Sequence, residues 1–250
     1  MPFAGGFMIL SSICAFFHKV LFPCPGCGQE CDREAGSFCA DCLDKLPQIK
    51  EDDNCCPGCG GFQDGALAVC SRCLAEPQRL WKEAVAALEY CGYAKELIRR
   101  FKFGNMPELA RPFGKILSEI VLKRKINADI IVPVPLHPLR SWSRGYNQSE
   151  LLARMVSDNT GIPVADILKR RLSRSKQSMR SRRERHTALK NAFVLKSKCF
   201  VAGKNILLLD DVLTTGATLH AAAKVLLKDG AASVTVLVLA RTPGLYQSSF

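Results

Sequence analysis

Four Cys-x-x-Cys pairs crowd into the fifty residues from Cys24 to Cys73, at Cys24/Cys27, Cys39/Cys42, Cys56/Cys59 and Cys70/Cys73. Ten of the 13 cysteines of this 250-residue chain fall in that segment. A two-residue gap lets both thiolates of a pair turn toward one centre, and the first pair of each set reads Cys-Pro-Gly-Cys-Gly, whose glycines ease the tight turn. Tetrahedral zinc, with sulfur at ~2.3 Å, asks for this spacing. The expectation is a double zinc ribbon over residues 23–78, ligated by Cys24, Cys27, Cys39 and Cys42 and by Cys56, Cys59, Cys70 and Cys73. With every ligand position filled by cysteine the sites are closed, hence structural rather than catalytic. Cys31 and Cys55 lie beside the knuckles as spare thiols, so either can replace a neighbour, and one shared ion remains an alternative to two. The rival, a disulfide framework, fits poorly with the α/β pattern of the rest of the chain. A segment this poor in apolar periodicity needs such a clamp to fold.

Before the knuckles, residues 1–22 contain the apolar run FAGGFMILSSICAFF. It is too short to span a bilayer, and it lacks the basic flank and small-residue cleavage site of a signal peptide. A short helix packed on the ribbon or on a partner is expected, with weak peripheral association at the inner membrane as the rival. No integral membrane span is expected, and the protein reads as cytoplasmic.

Past Cys73 the composition changes. AVAALEY (84–90) suits a strand, and Leu97, Ile98 and Phe101 fall on one face of a following helix. Pro107 sits where another helix can start, and Leu109, Phe113, Ile116, Leu117 and Ile120 recur at helical spacing. DIIVPVP (129–135) is a buried strand stopped by prolines, followed by a helix over about 149–156 closed by Gly161. VADIL and ILLL read as further strands. Next come a helix from Thr218 to Lys228, closed by Gly230, and the strand SVTVLVLA. Strands apolar on both faces, separated by amphipathic helices, indicate an α/β fold with a parallel sheet flanked by helices, here over residues 79–245.

In such a sheet ligands bind at the carboxyl ends of strands. ILLLDDVLTTGATL (206–219) drives a buried strand into Asp210 and Asp211, then into a turn of Thr214, Thr215, Gly216, Ala217 and Thr218 that opens a helix. Backbone N–H groups, the helix dipole and threonine hydroxyls suit a phosphate. Two carboxylates beside it would repel that phosphate unless they served hydroxyls or a cation, so the pattern points to a sugar phosphate. A merely acidic strand end before a capped helix explains each half but not their adjacency.

This stretch resembles the phosphoribosyl-diphosphate motif of type I phosphoribosyltransferases. The resemblance implies that Asp210 and Asp211 address the ribose hydroxyls, directly or through magnesium, while the threonine turn wraps the 5′-phosphate. It also implies a pyrophosphate loop within VPVPLHPLRSWSRGYNQSELLA (132–153), which offers Pro135 and Leu136 with Arg140 and Arg144 as cations. Together with the two ribbons, LIRRFKFGNMPELA and the arginine-rich segment before NAFVL, these pieces resemble the ComF family of competence-related proteins. That family is also described as amidophosphoribosyltransferase-like or GntX-like. The likeness covers nearly the whole chain beyond the first twenty residues.

The arginine-rich segment KRRLSRSKQSMRSRRERHTALKNAF (169–193) has one acidic residue, Glu184. It reads as a mobile loop between strands. By family analogy it closes over pyrophosphate through Gln177, Arg182, Arg183 and Arg185; the other readings are an electrostatic track for single-stranded DNA, short of stacking aromatics, and a solvated charge run. Lys102 and Lys95 are further candidates for the anionic ligand. The four histidines form no metal pattern. A net charge of +12, from 35 Lys+Arg against 23 Asp+Glu, favours phosphate-bearing partners without selecting one.

In the 6-oxopurine salvage enzymes the phosphate turn carries an extra aspartate where this chain has Thr214, a departure that argues against that chemistry. The segment from Trp81 to Phe103 is the candidate for an acceptor pocket. Two classes of function follow. One is a magnesium-dependent phosphoribosyltransferase of unknown acceptor, linked to DNA uptake. The other is a non-catalytic protein that binds single-stranded DNA or a helicase-like competence partner and uses the sugar-phosphate site as a sensor.

Overall fold

The computed structural model describes residues 23–30, 36–49, 55–63, 68–74, 79–136, 145–171, 192–196 and 201–243. The N-terminal apolar run and Cys31 lie outside them, as do His137, Arg140, Arg144, Gln177, Arg182, Arg183 and Arg185. The chain divides into two compact units, Met1–Leu46 and Pro47–Phe250. The first contains the Cys24–Cys42 knuckles and α1 (Ala40–Asp44), with Cys24, Phe38, Cys42 and Leu46 buried.

In the second unit, α2 (Ser71–Leu74) follows the second set of knuckles. The chain then runs β1 (Glu83–Glu89), α3 (Gly92–Phe103), a 3-10 turn at Pro107–Leu109, α4 (Ala110–Lys123), β2 (Ile130–Pro133) and α5 (Gln148–Thr160). It continues through β3 (Leu168–Arg170), β4 (Phe193–Leu195), β5 (Asn205–Leu213), α6 (Ala217–Lys228) and β6 (Ser233–Arg241). Four strands form one parallel sheet in the order β1-β6-β5-β2, with Leu208 opposite Val132 on one side and Val236 on the other. β5 is therefore central, and its long unbroken apolar run is what a strand covered on both faces requires.

The pleat sends alternate side chains to opposite faces. Ile206 and Leu208 join Leu219, Ala222 and Leu226 of α6 in one core with Val234 and Val236. The alternate residues Leu207 and Leu209 are equally buried, on the side where α5 contacts β5 and β2. Each fully buried leucine of this kind contributes roughly 1.5–3 kcal/mol. α3 hides Ala94, Leu97, Ile98 and Phe101, the expected stripe, while α4 buries Leu109's neighbours Phe113 and Leu117 and adds Val121.

Two local expectations need correction. VADIL does not form a strand of the sheet: only Val164 bridges Ile131, because Ile167 N–H turns back onto the Ala165 carbonyl at 3.0 Å and ends the pairing. Lys169 and Arg170, read as part of the basic loop, instead belong to β3, which pairs antiparallel with β4. The segment 172–191 between those two strands lies outside the described residues.

The second set of cysteines does not stand apart from the sheet. Cys56, Cys59 and Cys73 share the α6-side core with Trp81, Ala84, Ala86 and Leu219.

Candidate functional site

The strand that carries the acid pair does not stop at it. β5 runs on to Leu213, with Val212 opposite Ala240 of β6, so the aspartates sit within hydrogen-bonded strand rather than at its tip. Three neighbours shape their surroundings. At the end of β2, Val134 N–H donates to the Leu209 carbonyl (2.9 Å), and Asn147 Nδ2 donates to the Val134 carbonyl (3.2 Å). Asn147 also caps α5, accepting from Ser149 N–H at 3.2 Å. These bonds bring the first turn of α5 against β5, where Ser149 Oγ donates to Asp210 Oδ1 at 2.9 Å.

On the other side, the Phe101 carbonyl at the end of α3 accepts from Tyr146 Oη and from Gln148 Nε2. The next residue, Lys102, thereby reaches Asp211, Nζ to Oδ1 2.9 Å, with both side chains largely shielded from solvent. The two carboxylates therefore have different partners. Asp210 keeps part of its surface open, yet protein surrounds its carboxyl group. Burial first, and the Asp211 charge second, push it up from 3.8 to about 7, against the pull of the Asp211 amide, the Ser149 hydroxyl and Lys102. Near neutrality it can hold or give up a proton, whereas Lys102 is a ready counter-ion for its neighbour.

The turn after β5 is built around Gly216, whose φ of 76° lies in the left-handed region. Thr215 Oγ1 accepts weakly from Ala217 N–H at 3.4 Å, and the Thr215 carbonyl accepts from Arg79 Nη1 at 2.9 Å. Thr214 is exposed, and Thr215, Ala217 and Thr218 are half-buried at the start of α6. Pro135 and Leu136 follow β2, half-buried, with their neighbour Val134 bonded to β5. The structure thus gathers Asp210, Asp211 and Lys102, and starts the threonine turn directly after β5, with Val212 and Leu213 between it and the aspartates. Ser149 and Arg79 were not singled out from the sequence. Ser149 lies inside a quoted motif, but only the pairing of β2 with β5 shows that it faces Asp210.

The cysteines form two separate groups, each of four sulfurs lying within 4.8 Å of one another. They are the eight expected ligands. Cys55 is in neither group; it bridges Phe62 in a short backbone pairing. Sulfur separations of 3.8 Å (Cys27–Cys39) and 3.7 Å (Cys59–Cys70) match the edge of a tetrahedron with ~2.3 Å metal–sulfur bonds, and they are far too long for a disulfide. Backbone amides support the sulfurs: Cys39 N–H lies 3.3 Å from Cys24 Sγ, and Cys70 N–H lies 3.2 Å from Cys56 Sγ. Although burial raises the Cys24 thiol, its amide hydrogen bonds outweigh that and hold it at about 7. Both groups fit a tetrahedral thiolate-bound metal.

The phosphoribosyl transferase domain matches residues 104–248. The chain is 35% identical over 199 residues to the DNA utilization protein YhgH of Escherichia coli (strain K12), covering 77% of this chain and 86% of that protein. It is 32% identical over 227 residues to Competence protein F of Haemophilus influenzae, covering 88% and 97%. To Competence protein ComFC of Bacillus subtilis it is 35% identical over 214 residues, covering 82% and 84%.

Proposed function

The chain belongs to the phosphoribosyl transferase family, and from that premise we propose that it binds phosphoribosyl diphosphate with magnesium at the end of β5. The observation that carries this reading is the acid pair itself. Two adjacent carboxylates on the central strand, one already matched by Lys102, run into a left-handed glycine turn at the start of a helix. Asp210 and Asp211 address the ribose hydroxyls, while Thr214 to Thr218 surround the 5′-phosphate with amides and hydroxyls. Arg140 and Arg144 after β2, and Gln177, Arg182, Arg183 and Arg185 between β3 and β4, meet the pyrophosphate. The hard oxygen donors of the acid pair suit magnesium, which when bound neutralises pyrophosphate charge. The eight cysteines hold two structural zinc ions.

Transfer follows if an acceptor enters opposite the pyrophosphate. Ser149 and the Asp211 amide fix one oxygen of Asp210, so the carboxylate is oriented before the sugar arrives. Lys102, paired with Asp211, is the cation available to the departing phosphate oxygens as charge develops there. The protein acts in DNA uptake, a role supported by the names of its relatives.

Those names also favour a second reading, since they speak of DNA use and competence rather than of transfer. In that reading the site senses a sugar phosphate while the zinc ribbons and the arginine-rich segment engage single-stranded DNA and a helicase-like partner. Pyrophosphate release, screened over nucleobases, amines and ammonia, separates the two. Release with one acceptor, lost on Asp210→Asn, supports transfer. No release with any acceptor, together with DNA binding that survives the loss of both aspartates, supports the sensor.

A further inference from the structure

The second cysteine group is joined to the phosphate turn by a short chain of hydrogen bonds. In the Cys56-Pro-Gly-Cys59 knuckle, the Pro57 carbonyl accepts from Ala84 N–H of β1 at 2.8 Å, and the Gly58 carbonyl accepts from the Trp81 indole Nε1 at 3.1 Å. Trp81 is buried, at 5% exposure, in the same core as Cys56, Cys59 and Cys73. The Arg79 guanidinium lies over its ring, 5.2 Å from the centroid, and its Nη1 donates to the Thr215 carbonyl at 2.9 Å. Contact with the turn is close: a Cβ on Gly216 would meet Arg79 Nη1 at 2.2 Å and the Trp81 ring at 3.2 Å.

Holding that carbonyl has a directional effect. In a trans peptide the C=O and the following N–H point to opposite sides, so fixing the Thr215 carbonyl on Arg79 turns the Gly216 N–H away from Arg79. Gly216 has φ 76°, the left-handed conformation that in a nest lets consecutive amides converge on an anion. A rotated peptide would present a carbonyl oxygen to a phosphate, a repulsive contact in place of a donor.

We propose that Arg79 is a positioning residue for the phosphate turn, and that metal held by Cys56, Cys59, Cys70 and Cys73 governs that turn through Gly58, Trp81 and Arg79. This rests on the reading of the turn as a sugar-phosphate site. The ribbon thereby becomes part of the ligand site's support, and metal loss weakens ligand binding without touching a ligand-contacting residue.

The test is amide hydrogen exchange across residues 214–218 of the full chain, for wild type and Arg79→Gln, with and without a zinc chelator. Arg79→Gln should raise exchange there on the order of tenfold, the effect of losing one charge-assisted hydrogen bond. Chelation should do the same in wild type and add less than about twofold in Arg79→Gln, since both act through one link. Arg79→Lys, which keeps a charge and a donor, should fall between the two. The dissociation constant for phosphoribosyl diphosphate with magnesium should rise in step with exchange. Exchange in Arg79→Gln matching wild type, or chelation acting equally in both proteins, would overturn the proposal. So would chelation that brings exchange in β5 and α5 up to the rate of the turn, since the metal would then hold the whole unit rather than the turn. If wild type shows no ligand binding, the site reading fails, while the exchange comparison still decides the role of Arg79.

Discussion

At the acid pair, the fold alters the chemistry of Asp210. Its carboxyl group titrates near 7 in the folded protein and near 3.8 in the unfolded chain, so the folded state holds the proton more tightly. The stabilisation this gives is fully present below the lower value and is lost as pH rises through the higher one. Asp210→Asn, which still offers an oxygen to Ser149 and to the Asp211 amide, escapes that loss. Relative to wild type its stability should grow by about 2 kcal/mol between pH 5.5 and 8, the equivalent of about 1.5 pK units. Paired denaturation curves at the two pH values check this, and a constant difference would contradict it. The need for a special environment here was legible, since adjacent aspartates behind ILLL demand partners. The partners themselves were not: Ser149 and Lys102 are 61 and 109 positions from the acids they touch, and only the sheet order brings them in.

Among the elements, the contact between α4 and α5 sets where Ser149 lies. Gly114 allows it, since a Cβ there would sit 2.2 Å from Met155 Cβ. Gly114→Ala should force the helices apart and destabilise the protein by about 1–3 kcal/mol. Because α5 carries Ser149, ligand affinity should fall as well, which calorimetry would detect. Unchanged stability would show that the helices separate freely. The apolar spacing of Leu97, Ile98 and Phe101, and of Phe113 and Leu117, announced both helices because burial follows the 3.6-residue repeat. VADIL misled because its composition suits a strand, while a single backbone turn at Ala165–Ile167 decides its path. Composition does not encode that turn.

For the molecule as a whole, the two cysteine groups play unequal parts. Cys-x-x-Cys spacing picked out all eight cysteines of the two groups because four sulfurs around one centre is a local constraint. It did not reveal that Cys56 is completely buried in the core of the sheet unit, whereas Cys24 belongs to the Met1–Leu46 unit. Metal analysis should find two zinc ions per chain. Cys56→Ser should lower the melting temperature of the sheet unit by several degrees, on the order of 2–5 kcal/mol, by releasing the metal and burying a hydroxyl. Cys24→Ser should leave that transition within about a degree of wild type, since a site outside a cooperative unit does not share its unfolding. Among the described residues no helix is long and apolar enough to cross a membrane.

The central claim, that the end of β5 is a sugar-phosphate site, is tested most directly by titrating phosphoribosyl diphosphate with magnesium into the full chain by calorimetry. Saturable binding to wild type at one site per chain, abolished in the folded Asp210→Asn, Asp211→Asn double variant, is the result predicted. Equal binding by the two proteins, or none by wild type, would contradict it.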